Sequence, residues 1–185
     1  MTIQLIDILK STDSSTRQQA EVALEALGAN ALEPLAEAMN SEDLGQAWRA
    51  ARLLAKIDDP RRVTYMRQAL TSSNGLVGQV AVKAIMATLP SDDAGACLTE
   101  HLLDSHPIVQ VHIVMALIAI DYQAAIDPLI RLLTITESSE VRYTAIEGLG
   151  LLNAAQAVDL IRSFAHDDNH HVQERAQTAL NRLAG

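Results

Sequence analysis

Residues 139–153 read Ser-Glu-Val-Arg-Tyr-Thr-Ala-Ile-Glu-Gly-Leu-Gly-Leu-Leu-Asn. With Arg142 as position zero, a small residue follows at +3 (Ala145), a small and an aliphatic one at +6 and +7 (Gly148, Leu149), and an aliphatic one at +10 (Leu152). Offsets 3, 7 and 10 share one face of a helix, so the stretch predicts an amphipathic helix with that face buried. The same skeleton starts at Arg17, Ala47, Gly78, Gln110, Arg142 and Gln173, with gaps of 30, 31, 32, 32 and 31 residues. A period held that closely predicts a helical solenoid, in which each repeat buries its apolar face against its neighbours.

The inner helices of such an array are expected near 14–28, 44–57, 76–89, 107–120, 139–153 and 169–183. Shorter apolar stripes between them predict outer helices at Thr2–Lys10, 31–39, Arg61–Leu70, Asp92–Leu103, Tyr122–Leu133 and Ala154–His166. Gly28, the Asp58-Asp59-Pro60 run and Pro90 are helix stops, and Ser11–Ser15 offers several N-caps. About twelve helices in six hairpins then make one all-α repeat domain over residues 1–185.

Composition agrees with this. Aromatic residues make up 3% of the chain against 49% hydrophobic, which suits helices packed through Ala, Leu, Ile and Val rather than a β-rich core. A formal charge of −9 disfavours non-specific nucleic-acid binding by the whole surface. Cys97 is the sole cysteine, so an intramolecular disulfide and a thiolate metal cluster are both excluded. The most apolar run, Ile108 to Ile120, is broken by Gln110 and His112 and is too short to span a bilayer. A signal peptide is not expected at Thr2–Lys10, and a cytoplasmic location is.

The motif Ser139-Glu-Val-Arg-x-x-Ala-Ile-x-Gly-Leu-Gly resembles the consensus of the HEAT-like repeats of phycobilisome (bilin) lyases, roughly Asp-x-x-Val-Arg-x-x-Ala-x-x-Ala-Leu-Gly. Ser15-Thr-Arg17-x-x-Ala20-x-x-Ala23-Leu24-x-x-Leu27-Gly28 resembles it nearly as well. The arginine stands at Arg17 and Arg142 and is replaced by Ala47, Gly78, Gln110 and Gln173 in the other repeats. The resemblance implies a right-handed α-solenoid of about six HEAT-like hairpins. For function it implies an interaction scaffold or, by analogy, a bilin lyase-like subunit that handles a tetrapyrrole. Deoxyhypusine hydroxylase, a HEAT-like enzyme, holds iron through recurring His-Glu pairs; this chain has only a reversed Glu100-His101. Helical-repeat DNA glycosylases are strongly basic, whereas this chain is acidic.

With one face committed to stacking, the stripe at +2, +5 and +9 is expected to line an inner, concave surface. It carries Arg49, Arg52 and Lys56; Lys83; His112 and Met115; Thr144 and Glu147; and Arg175, Thr178 and Arg182. Six basic residues stand there against the single acid Glu147, although the chain as a whole has 14 basic and 23 acidic residues. The stripe therefore predicts a basic groove on an acidic body. Trp48 lies beside the densest cluster, and arginine with an indole is what interface hot spots are enriched in. Inter-repeat packing is the alternative role for Trp48, and ordinary solvated helix faces the alternative for the charges. The helix of the fourth repeat is apolar nearly all round (Val111, Met115, Ile118, Ala119), which predicts either a buried helix or an exposed sticky face.

Catalytic signals are missing: there is no Gly-rich phosphate loop and no nucleophile elbow. The tract His166-Asp-Asp-Asn-His170-His171 has metal-ligand spacing, but Asp168 or Asn169 is expected to cap the last helix, so no metal or other cofactor is expected. The resulting expectation is a non-enzymatic scaffold. It binds an acidic or amphipathic protein segment through Trp48, Arg49, Arg52, Lys56, Lys83, His112, Met115, Arg175 and Arg182, with self-association as a further possibility.

Overall fold

The computed structural model describes residues 1–184, and among them every regular element is helical. Contacts divide the chain into two compact units, one over Met1–Thr88 and one beginning at Leu89. The first contains Thr2–Ile8 (α1), Ser14–Leu27 (α2), Leu32–Ala38 (α3), Leu44–Lys56 (α4), Arg62–Ala69 (α5) and Gly75–Thr88 (α6). The second contains Ser91–His101 (α7), Pro107–Ala119 (α8), Ile126–Ile135 (α9), Ser139–Leu151 (α10), Val158–Ser163 (α11) and His170–Ala184 (α12). Each unit is a stretch of α-solenoid made of three hairpins. In the first, α4 packs between α2 and α6; in the second, α10 packs between α8 and α12.

The stacking face is the one the period selects. Every +3 residue is buried: Ala20, Ala50, Ala81, Ile113, Ala145 and Ala176. So are Leu24, Leu54, Ile85, Leu117 and Leu149 at +7. Helix spacing is set by how little side chain stands between neighbours. A Cβ placed on Gly150 would lie 2.9 Å from the Ala179 Cβ and 3.1 Å from its backbone Cα, so α10 and α12 meet where neither carries a large residue.

Helix starts repeat with the same regularity. Four positions before each zero stands a capping residue: Asp13, Asp43, Asn74, His106, Ser138 and Asn169 all accept from backbone N–H groups in the first turn that follows. Two positions earlier again, Ser11, Ser41, Ser72, Thr136 and Asp167 accept from the backbone N–H of the cap residue itself. The zero residue then closes the loop. Arg17 donates to the Ser11 carbonyl at 2.6 Å, Arg142 to Thr136 at 3.3 Å and Gln173 to Asp167 at 2.6 Å, each six residues back. Gln110 reaches the Leu102 carbonyl at 3.2 Å. Arginine and glutamine thus do one job, which accounts for their exchange between repeats.

Helix ends explain where the outer helices depart from expectation. Eleven residues past zero, Gly28, Asp121 and Asn153 have φ of 52°, 50° and 55°, the left-handed region that Gly, Asn and Asp tolerate best. After Asp121 and Asn153 the next N–H groups close back on the helix, from Tyr122 to the Leu117 carbonyl and from Ala154 to Leu149. The chain then enters a 3-10 turn at Gly28–Ala31, Gln123–Ala125 or Ala155–Ala157 before the outer helix begins. The stretch expected as a helix over Ala154–His166 is therefore a short α11 between two 3-10 turns.

Two outcomes follow from the loop clamps. Gln46 is buried and donates to the Ile6 carbonyl at 2.9 Å; Gln46→Ala should lower stability by about 1–2 kcal/mol in urea unfolding, while Gln18→Ala on the exposed side of α2 should leave it unchanged. The Thr16 hydroxyl, and then its backbone N–H, hold the Asp13 carboxyl below the ordinary carboxylate value. A folded value below the unfolded one means that the cap's contribution is complete above the unfolded value and is lost as pH falls through the folded one. Melting temperature should accordingly fall less steeply on acidification in Asp13→Asn than in the wild type.

Candidate functional site

On α4 the face away from the stack carries Trp48, Arg49, Arg52 and Lys56, and the structure gives them different environments. The Arg52 guanidinium lies 4.7 Å from the centre of the Trp48 ring, a cation–π contact between two half-buried side chains. Arg49 turns the other way and donates to the Leu9 carbonyl at 3.1 Å, beside the Gln46 contact with α1. Lys56 forms an ion pair with Glu25, which projects from the preceding inner helix α2.

Next along the first unit, α6 presents Gln79, Val80, Lys83 and Ala84 to the Trp48 side of α4. Together with Trp48, Arg52 and Ala55 they line an open hollow of about 440 Å³. Its wall is aliphatic and indole, and its rim carries two cations and an amide. Neither Arg52 nor Lys83 forms an ion pair among the described residues. Of the five basic and aromatic residues expected in this unit, three (Trp48, Arg52 and Lys83) converge on the hollow, while Arg49 and Lys56 are engaged elsewhere. The aliphatic wall of Ala55, Val80 and Ala84 was not singled out from the sequence, although Val80 lies on the +2 stripe.

In the second unit the expected residues are more scattered. His112 is half-buried, with its Nδ1 at 3.1 Å from the Ile108 carbonyl one turn back. Met115 is 58% exposed. Thus α8 fits neither extreme: Val111, Val114 and Leu117 are buried, while Met115 and Ala119 face solvent. Arg175 pairs with Glu147 at 3.2 Å, and both, with Arg182 and Leu151, line a small hollow of about 70 Å³ where α12 meets α10. Thr144, placed by spacing on the open stripe, is in fact buried at 5% exposure, with its hydroxyl donating to the Glu140 carbonyl.

The histidine-rich tract is built into the start of α12. Asp167 faces Arg142 at 3.4 Å and its carbonyl receives Gln173. Asn169 caps the helix. His170 and His171 both approach Glu174, at 3.3 and 3.8 Å, and His171 also meets the Tyr143 ring edge-on. Among the described residues no three His, Cys, Asp or Glu side chains are grouped as metal ligands would be. Cys97 is buried on α7. Besides Asp13, the carboxyl held below its ordinary range is Asp59, chiefly by hydrogen bonds from the Arg61 side chain; both lie in loops, off the stripe. No helix of the described residues is long and apolar enough to cross a membrane.

A family model described as HEAT repeats matches residues 4–86 and 96–181. Among solved structures, the chain is similar to an engineered protein from the Northeast Structural Genomics Consortium, at 26% identity and a TM-score of 0.53, covering 99% of this chain and 96% of that one. Human deoxyhypusine hydroxylase in complex with glycerol is similar in fold, at 22% identity and a TM-score of 0.56, over 99% of this chain and 73% of that one. The complex of CpcE and CpcF of phycocyanin lyase from a Nostoc species aligns at 20% identity and a TM-score of 0.47, over 100% of this chain and 77% of that one, a likeness too loose to bear on function. No curated protein sequence matches the chain.

The two fates of arginine on α4 can be separated. Arg49→Ala removes a hydrogen bond that ties α4 to α1 and should cost about 1 kcal/mol of stability by chemical unfolding. Arg52→Ala should leave unfolding nearly unchanged but shift Trp48 fluorescence, because it uncovers the indole.

Proposed function

The chain belongs to the HEAT repeat family, and from that premise we propose that it is a non-enzymatic scaffold binding an acidic or amphipathic protein segment at the hollow between α4 and α6. A helical-repeat architecture fits a protein-interaction role. The observation that carries the finer reading is the pairing of Arg52 and Lys83, without carboxylate partners, over the Trp48–Val80–Ala84 wall. In a chain of net charge −9, cations left unneutralised around an apolar hollow favour a partner that brings carboxylates and aliphatic side chains together. The sign of the rim rejects basic segments.

The other expected residues take graded roles in this reading. Lys56 extends the basic stripe one turn beyond Arg52. In the second unit Arg175 and Arg182 share the small hollow on α12, and His112 and Met115 stand apart from them on α8. Self-association through the exposed Met115 side of α8 is an alternative use of that surface.

The test is a binding titration with two labelled peptides, one alternating Glu and Leu, the other Lys and Leu. The acidic peptide should bind and weaken as salt rises, and the basic one should not bind. Reversing both charges, Arg52→Glu with Lys83→Glu, should reduce affinity by about tenfold or more while far-UV circular dichroism stays unchanged. Equal affinity in wild type and double reversal would sink the proposal. The bilin-lyase alternative rests on the same two cations, which suit a tetrapyrrole's propionates. An absorbance spectrum of added bilin that is unchanged by the protein rules that alternative out.

A further inference from the structure

We propose, resting on the reading of the α4–α6 stripe as the binding surface, that Glu25 is an intramolecular competitor: its carboxylate occupies Lys56 where a partner's carboxylate would otherwise sit. Glu25 projects from α2 and Lys56 from α4, one repeat on, and the two side chains form an ion pair across the stacked helices. Lys56 lies one helical turn beyond Arg52 on α4, so the pair stands on the same stripe just outside the residues that line the hollow.

The pair is built to be displaced. Its side chains are 53% and 41% exposed, and an ion pair so open to water is held by little free energy. A third carboxylate on the partner can take Lys56 by releasing Glu25 to solvent. A segment that meets only Arg52 and Lys83 leaves the pair intact. Glu25 therefore sets how strongly the site rewards extra negative charge on its partner.

The second unit carries the same device independently. Glu147 of α10 holds Arg175 of α12 at 3.2 Å, with side chains 38% and 47% exposed, while Arg182, two turns along α12, has no ion pair among the described residues. In both units a carboxylate from one inner helix neutralises a stripe cation on the next.

The experiment measures affinity for the labelled Glu-Leu peptide by fluorescence anisotropy at low salt, with melting temperature recorded for each variant. Glu25→Gln should tighten binding about threefold. Lys56→Gln alone should weaken it, because it removes the cation and leaves the Glu25 carboxylate unneutralised on the stripe. The double variant Glu25→Gln with Lys56→Gln should return to wild-type affinity. Glu37→Gln, an exposed acid on α3, controls for the loss of one negative charge anywhere on the body. Unchanged affinity in Glu25→Gln with a lowered melting temperature makes the pair a structural staple and overturns the proposal. A gain that persists in the double variant, or that Glu37→Gln matches, overturns it as well. Absence of peptide binding by wild type and Glu25→Gln alike removes the stripe reading itself, and this inference falls with it.

Discussion

Four of the six inner helices, α2, α8, α10 and α12, are held at their starts by a side chain that reaches back to a carbonyl of the preceding loop, and the rest of the repeat depends on that clamp. The loops are too short to form structure of their own, yet their carbonyls lie against packed helices, where an unpaired acceptor is costly. Arg17, Arg142 and Gln173 reach carbonyls six residues upstream, and Gln110 one eight residues upstream. The contact sets the angle at which the chain enters the helix, and so which face turns to the stack. Once that face is set, small residues such as Ala145 and Gly150 allow close approach, and aliphatic residues at +7 fill the space between helices.

Two repeats lack a side chain at zero that can reach. In the second, Ala47 is flanked by Gln46 and Arg49, which instead tie α4 to the carbonyls of Ile6 and Leu9 at the end of α1. In the third, where zero is Gly78, the Asn74 amide reaches the Leu44 carbonyl of the preceding inner helix. The clamp has become a contact between repeats, and in the second repeat it draws on Arg49, which spacing alone assigns to the solvent stripe. This is why Arg49 belongs to the scaffold although it shares a stripe with Arg52.

The legibility of the chain follows the range of the forces involved. Helix faces and boundaries obey local periodicity, so the inner helices were readable to within a residue or two: α4 ends at Lys56 and α10 at Leu151, against expected ends at 57 and 153. Caps were readable as candidates but not as a rule, because the Ser-x-Asp pattern at Ser11 and Ser41 becomes Thr-x-Ser at Thr136 and Asp-x-Asn at Asp167. Side-chain destinations were not readable. Whether an arginine on the stripe meets an indole on its own helix (Arg52), a carbonyl 40 residues away (Arg49) or a glutamate on the preceding inner helix (Arg175) depends on rotamer and stacking distance. Thr144 is the converse case: its place on the stripe suggested exposure, but close packing of α10 buried it.

On the proposed reading, selectivity at the hollow between α4 and α6 would come from two weak terms acting together. Exposed cations such as Lys83 attract a carboxylate only modestly, and salt screens the attraction. The wall of Ala55, Val80, Ala84 and Trp48 offers apolar area, but area has no sign and would accept any aliphatic side chain. A segment that satisfies one term without the other gains little. One that places an aliphatic side chain against the wall and carboxylates at the rim gains both, and loses neither to an internal partner, because Arg52 and Lys83 are not already neutralised. The small residues on α4 and α6 matter for the same reason: a larger side chain at Ala55 or Ala84 would fill the hollow from within and leave the cations standing on a flat surface.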